Sequence, residues 1–300
     1  MEEQEQINEQ ESPEEIKQSA IGMLNIGQNR TALQKLLYLA RITPDDGEVF
    51  YNMGIILEKL KYPEKALEAY LKAVELCPGS TDYKFNLASI YNTLKEYDKA
   101  KELFEEVLDD DNEDVNARFN LAIAQSRLKM TDEAIENFRI VLALTPDDAL
   151  AMFYLAYELK TKGKTQEAID LYEQAIKLSP QYSWAYFNLA SIYYEQNDIE
   201  KTVNCLEKVI EIAPNDIDAL KLYANIMFQA NNFEKALALI QQAIQYCPVN
   251  AELYYFEAKI HLKMNNFINY EKIMKSAIEN AEDGSQFKKL LESELQKNKK

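Results

Sequence analysis

Between residues 47 and 80, Phe50, Met53, Gly54 and Leu57 fall at i, i+3, i+4 and i+7. That spacing puts them on one face of a helix. A short break at Lys61, Tyr62 and Pro63 follows, and then a second helical stripe of Leu67, Tyr70, Leu71, Val74 and Leu76. Pro78 ends this stripe, because proline has no N–H with which to continue the hydrogen-bond ladder. A break this short makes the two predicted helices an antiparallel hairpin.

The pattern returns every 34 residues. Glu64–Pro78, EKALEAYLKAVELCP, reappears as Asp132–Pro146, Gln166–Pro180 and Glu234–Pro248. Eight repeats in phase are predicted at 13–46, 47–80, 81–114, 115–148, 149–182, 183–216, 217–250 and 251–284. Such an array is a stack in which each hairpin buries the face of its neighbour. One first-helix register holds only small residues: Ala20, Gly54, Ala88, Ala122, Ala156, Ala190, Ala224 and Ala258. The matching second-helix register holds Ala32, Ala66, Ala100, Ala134, Ala168 and Ala236, with Thr202 and Tyr270 as exceptions. Side chains this short let helices approach closely, and Tyr270 marks the last repeat as degenerate. Residues 285–300 carry Phe287, Leu290, Leu291 and Leu295 among polar neighbours and are predicted to form a capping helix over the last repeat.

Composition sharpens this picture. Only 7 glycines and 8 prolines occur in 300 residues, which favours long uninterrupted helices and an all-α fold. Residues 1–12 hold five glutamates and no base, and read as an acidic disordered tail. The net charge of −17 disfavours nucleic acid and anionic membranes as partners, since both require a basic surface. No apolar run is long enough to span a bilayer and the first residues contain no secretory signal, so a cytoplasmic location is expected. Cys77, Cys205 and Cys247 have no metal-site spacing and read as small apolar fillers. No glycine-rich phosphate loop or nucleophile elbow is present, and the single histidine, His261, lies in a packing stripe. No enzyme activity, cofactor or metal is expected.

The repeat resembles the tetratricopeptide repeat family. Leu87-Ala88 with Tyr91, and Leu189-Ala190 with Tyr193, match that family's first-helix signature; Ala66, Tyr70, Pro78 and Ala134, Phe138, Pro146 match the second. Trp184 is not at the family's tryptophan position, which Tyr186 holds. The resemblance covers residues 13–284. It implies a right-handed superhelix whose first helices line a concave groove, and a groove that holds a peptide or a partner helix.

Two ladders stand on the inferred groove side of the first helices. One is aromatic: Tyr51, Phe85, Phe119, Phe153, Phe187 and Tyr255, interrupted by Lys221. The next register carries amides, Asn52, Asn86, Asn120 and Asn188, with Tyr154 replacing one. An amide both donates and accepts, so a row of amides can pair with an extended backbone without reading its side chains. The rings could supply apolar contact, or pack against the neighbouring repeat. Ser89, Asn92, Ile123, Ser126, Tyr157 and Lys160 complete a nearly neutral lining, and Lys221, Lys259 and Lys263 add positive charge further on. Lys221 and Asn225 match the first helix of the family's carboxylate clamp, but Phe256, Gln286 and Leu290 stand where its other groups belong. The leading expectation is a monomeric, non-catalytic scaffold that binds an extended peptide or protein segment along Tyr51–Phe187. The alternatives are a self-assembling structural array and an adaptor whose enzyme lies on another chain.

Overall fold

The computed structural model describes residues 11–298, and the described residues form seventeen helices and no strand. Residues up to Gly163 form one compact body and those from Lys164 a second. The first contains α1 (Pro13–Asn25), α2 (Asn29–Ile42), α3 (Gly47–Lys59), α4 (Pro63–Leu76), α5 (Thr81–Thr93), α6 (Tyr97–Asp110), α7 (Val115–Arg127), α8 (Thr131–Leu144) and α9 (Ala149–Thr161). The second contains α10 (Thr165–Leu178), α11 (Ser183–Glu195), α12 (Ile199–Ile212), α13 (Ile217–Gln229), α14 (Phe233–Tyr246), α15 (Ala251–Lys263), α16 (Phe267–Asn280) and α17 (Gln286–Lys297). None of these helices is long and apolar enough to cross a membrane.

The sequence makes each helix start and stop. In the first body, Ser12, Asp46, Ser80, Asp114 and Asp148 cap the odd-numbered helices, each side chain accepting from a first-turn N–H. Ser12 completes a capping box with Glu15. The expected acidic tail lies, apart from Glu11 and Ser12, outside the described residues. Every turn from an odd- to an even-numbered helix uses one residue at positive φ, spaced by 34: Gly27, Lys61, Lys95, Lys129, Gly163, Asn197, Asn231 and Asn265. Glycine and asparagine tolerate this left-handed backbone, whereas a lysine there is strained.

Packing follows the small-residue registers. Ala66, Ala88, Ala100, Ala122 and Ala134 are fully buried in the first body, and Ala190, Ala224, Ala236 and Ala258 in the second. Gly54 permits the closest approach. A Cβ built there would lie 2.4 Å from Cε1 of Tyr70, whose hydroxyl donates to Glu58 at 2.5 Å. Lys17 joins α1 to the start of α3 through Asp46 and Glu48 at 3.0 and 2.8 Å. In the second body, Tyr193 and Tyr223 donate to Glu173 and Glu207 of the preceding even-numbered helix at 3.2 and 2.7 Å. Tyr270 is buried with Leu291 and Leu295 of α17, so its bulk fills space beneath that helix. Leu290 is exposed. It stands one residue from Leu291, about 100° round the helix from the stripe that packs.

Candidate functional site

The first helices carry the residues singled out by the sequence. Of the two readings left open for the aromatic ladder, binding contact and packing, the ring contacts fit packing. Phe85 meets Phe104 edge-on at 5.6 Å between ring centres, and Phe119 meets Phe138 and Tyr154 at 5.7 Å. Phe153 is only 9% exposed. Tyr51 stacks on Tyr83 at 4.4 Å and tilts against Tyr70. Phe187 is half-buried against the core of the second body. These rings sit at the edge of the apolar stripe, and a side chain that long turns back onto the aromatic residue of the second helix.

The amides are partly committed as well. Asn52 is 7% exposed and donates to the Glu48 carbonyl of its own helix at 2.8 Å. Asn120 and Asn188 donate in the same way to Asn116 and Trp184. Asn86 instead reaches the preceding first helix, donating to the Tyr51 hydroxyl at 2.8 Å. Burial raises the Tyr51 phenol above its usual pKa, the Asp82 carboxylate adds to the rise, and the bond from Asn86 opposes it.

Asn86 belongs to a polar seam between successive first helices. Asn92 of α5 donates to the Asn120 carbonyl of α7 at 3.2 Å, and Ser126 of α7 donates to Glu158 of α9 at 2.5 Å. Glu158 is 3% exposed. Its register elsewhere holds Ile56, Ile90, Ala124, Ile192, Ile226 and Ile260. One carboxylate among aliphatic residues was a readable signal that the sequence reading missed. A second seam links Arg118, Asn137 and the buried Gln125 at 3.1 and 2.8 Å.

Beside the seam in the first body, Ser89, Asn120 and Ile123 are half-buried and Tyr157 is 47% exposed. In the second body, Lys221 pairs with Glu252 at 3.2 Å and Asn225 is half-buried. Lys259 lies over the Tyr255 ring, whose phenol is pushed up to about 12 by burial and by Glu294. His261 is buried with Nε2 3.9 Å from Glu257, which accepts from Gln241 at 2.8 Å.

Profiles described as tetratricopeptide repeat match residues 49–181 and 159–226. The chain belongs to the tetratricopeptide repeat family. This family typically serves as a scaffold for protein–protein interaction and is generally non-catalytic. Among solved structures, the tetratricopeptide repeat chain is similar to PilF of Pseudomonas aeruginosa, at 17% identity and a TM-score of 0.60, over 71% of this chain and 97% of that one. It is similar to MamA of Desulfovibrio magneticus RS-1 at 21% identity and a TM-score of 0.54, over 57% of this chain and 96% of that one. YrrB, a TPR protein with an unusual peptide-binding site, aligns at 23% identity and a TM-score of 0.50, over 62% of this chain and 95% of that one. Identities this low carry the fold, an all-α solenoid of helical hairpins, and nothing finer. No curated protein sequence matches the chain.

Proposed function

We propose that this protein is a non-catalytic scaffold that binds an extended peptide or protein segment along α5, α7 and α9 of the first body. The observation that carries the reading is a half-buried, uncharged strip, Ser89, Asn92, Asn120 and Ile123, in a chain of net charge −17. A docking backbone loses water from its N–H and C=O groups and needs partners that both donate and accept. Asn120 offers its amide oxygen and the amide hydrogen not given to Asn116; Ser89, whose hydroxyl donates to the Phe85 carbonyl at 2.9 Å, offers an acceptor; and Tyr157 offers an exposed ring with a polar tip for affinity. Phe85, Phe119 and Phe153 support the strip from beneath, as packing. Lys221 and Asn225 of the second body are a separate, weaker candidate, because Lys221 is already paired. The acidic balance favours a protein partner over nucleic acid, acting in the cytoplasm.

Capture on immobilised chain, followed by crosslinking and peptide mapping, tests this reading. Wild type should retain a segment crosslinked near Tyr157, and the S89A/N120A/Y157A variant should lose it while keeping its helical circular dichroism. Equal capture by both chains would reject the strip as the binding surface.

A further inference from the structure

The lysines of α15 and α17 belong neither to the strip nor to the core. In the second body, Tyr255 of α15 meets Phe287 of α17 edge-on at 5.8 Å, and its hydroxyl donates to Glu294 at 3.0 Å. These contacts fix which way α17 is turned. Phe287 and Glu294 face α15, and Leu291 and Leu295 pack with Tyr270 of α16. Leu290 and Lys297 therefore lie beside the α15 contact, on the side away from α16. Leu290 is 48% exposed, and Lys297 is exposed. On α15, Lys259 lies over the Tyr255 ring at 5.4 Å and Lys263 stands one turn on, both exposed. Three lysines and a leucine thus border the seam between α15 and α17.

The charge on this seam does not cancel. Among the described residues, Lys259, Lys263 and Lys297 have no carboxylate partner. Lys221 is neutralised by Glu252 at 3.2 Å and Lys288 by Asp283 at 2.7 Å, so neither adds to the surplus. Lys289 stands one turn from Glu292, which offsets it. Glu257 turns the other way, accepting from Gln241 of α14. One carboxylate remains on the seam, Glu294, and it is already held by Tyr255. Three lysines against that one charge leave the seam cationic. The register of Lys259 shows that the charge is local: its preceding mates Ile55, Ser89, Ile123, Tyr157, Ser191 and Asn225 are all uncharged.

We propose that the α15/α17 seam binds an acidic, extended segment of a partner protein, with carboxylates at Lys259, Lys263 and Lys297 and one aliphatic side chain against Leu290. The net charge of −17 does not prevent this, because salt screens charges more than about 8 Å away and the seam itself is positive. Lysine is a point charge on a flexible stem, so the seam selects acidic over neutral or basic segments without demanding one fixed geometry. Leu290 is the apolar surface that such a segment covers. This site is separate from the strip on α5, α7 and α9, and stands or falls without it.

Methyl NMR of the full chain, labelled at leucine, provides the test. The probes are the capped peptides Gly-Asp-Asp-Leu-Asp-Asp-Gly, Gly-Asn-Asn-Leu-Asn-Asn-Gly and Gly-Lys-Lys-Leu-Lys-Lys-Gly. The acidic peptide should shift the Leu290 signals saturably and bind at least about tenfold more tightly than either of the others, the combined scale of three exposed ion pairs. Its affinity should fall as sodium chloride rises from about 50 to about 300 mM. The K259S/K263Q/K297Q variant, confined to exposed side chains, should lose binding by a similar factor with its circular dichroism unchanged. K177Q/K272Q/K275Q removes the same charge elsewhere in the second body and should bind as wild type does. Equal binding of the neutral peptide, salt-independent binding, undiminished binding by K259S/K263Q/K297Q, or an equal loss in K177Q/K272Q/K275Q overturns the proposal. So does self-association of wild type that K259S/K263Q/K297Q abolishes, which makes the acidic residues 1–12 of a second copy the occupant. Shifts of Leu290 with inorganic phosphate but none with peptide overturn it too, in favour of a small anion. The S89A/N120A/Y157A variant leaves the seam intact and should still bind the acidic peptide, which separates failure of this site from failure of the strip.

Discussion

The α3/α4 and α5/α6 hairpins share one 34-residue pattern but fill their interiors differently. In α5/α6, Ala88 sits in the small register and Phe104 in the large one, and both are fully buried. In α3/α4, the same places hold Gly54 and Tyr70. The tyrosine hydroxyl reaches Glu58, and its ring lies so close to α3 that only glycine fits opposite. A second exchange runs the other way: α5/α6 fills the interhelix notch with Tyr91 and Leu103, whereas α3/α4 leaves it open with Leu57 and Ala69. Equal backbones thus conceal unequal volumes. The repeat fixes where helices run, and pairs of side chains decide whether the space between them is full.

The strongest way to break the comparison removes the large ring from each hairpin. Tyr70→Ala and Phe104→Ala should each cost about 3–5 kcal/mol, because both rings are fully buried and the site cannot collapse onto them. Urea unfolding measures this, and a loss below that range for Tyr70 alone would mean that the α3/α4 hairpin packs loosely. Next in size is Gly54→Ala. Its methyl group would meet the Tyr70 ring, and the overpacking should cost about 1–3 kcal/mol. Tyr70→Phe releases the ring from Glu58 and lets it take the position that Phe104 adopts opposite Ala88. The double variant should therefore be more stable than the sum of the single changes, which a double-mutant cycle reads directly.

Alkaline pH separates the two hairpins by ionisation. Burial, reinforced by Glu58, raises the Tyr70 phenol above its ordinary value of 10.0. In the second body Tyr193 is pushed up to about 12 by burial and the Glu173 charge. A group whose pKa is raised on folding contributes stability that is complete below the unfolded value and lost as pH climbs through the folded one. Circular dichroism should show stability falling above about pH 10. Tyr70→Phe, which has no phenol to ionise, should shift that fall to higher pH. An unchanged midpoint would remove Tyr70 from the account.

The smallest effect concerns the turns, where the two hairpins agree. Lys61 and Lys95 both hold φ of 65°. Replacing either with glycine removes the steric cost of the left-handed backbone but adds unfolded-state freedom. The net gain should be about 0.5–1 kcal/mol, read as a small rise in melting temperature. A loss would show that the lysine side chain stabilises its turn.

Much of the fold was legible in the sequence because the period is strict. Alanine at the close contacts, proline beyond the second helix and acidic or hydroxyl caps all repeat in phase, and each has a local cause. The positive-φ register was also in plain view, since glycine and asparagine share it with three lysines. The candidate site was read less well. Phe85 and Phe119 lie at the margin of the apolar stripe, where helical spacing does not say whether a ring swings outward or folds back. Phe104 and Phe138 decide it, because edge-to-face contact is available only on that side. The amides were read as able to pair with a docked backbone, yet Asn86 reaches the preceding first helix and Asn92 the following one, contacts between residues about one repeat apart.

By itself, then, the sequence determined the helical hairpins, their period and their handover points, because those depend on backbone sterics and on contacts within a few residues. Only the tertiary structure decided which aromatic rings are core, which amides are already paired, and where the α3/α4 hairpin stays hollow. Those outcomes depend on side-chain volumes brought together from neighbouring helices, and a pattern of apolar and polar positions does not record volume.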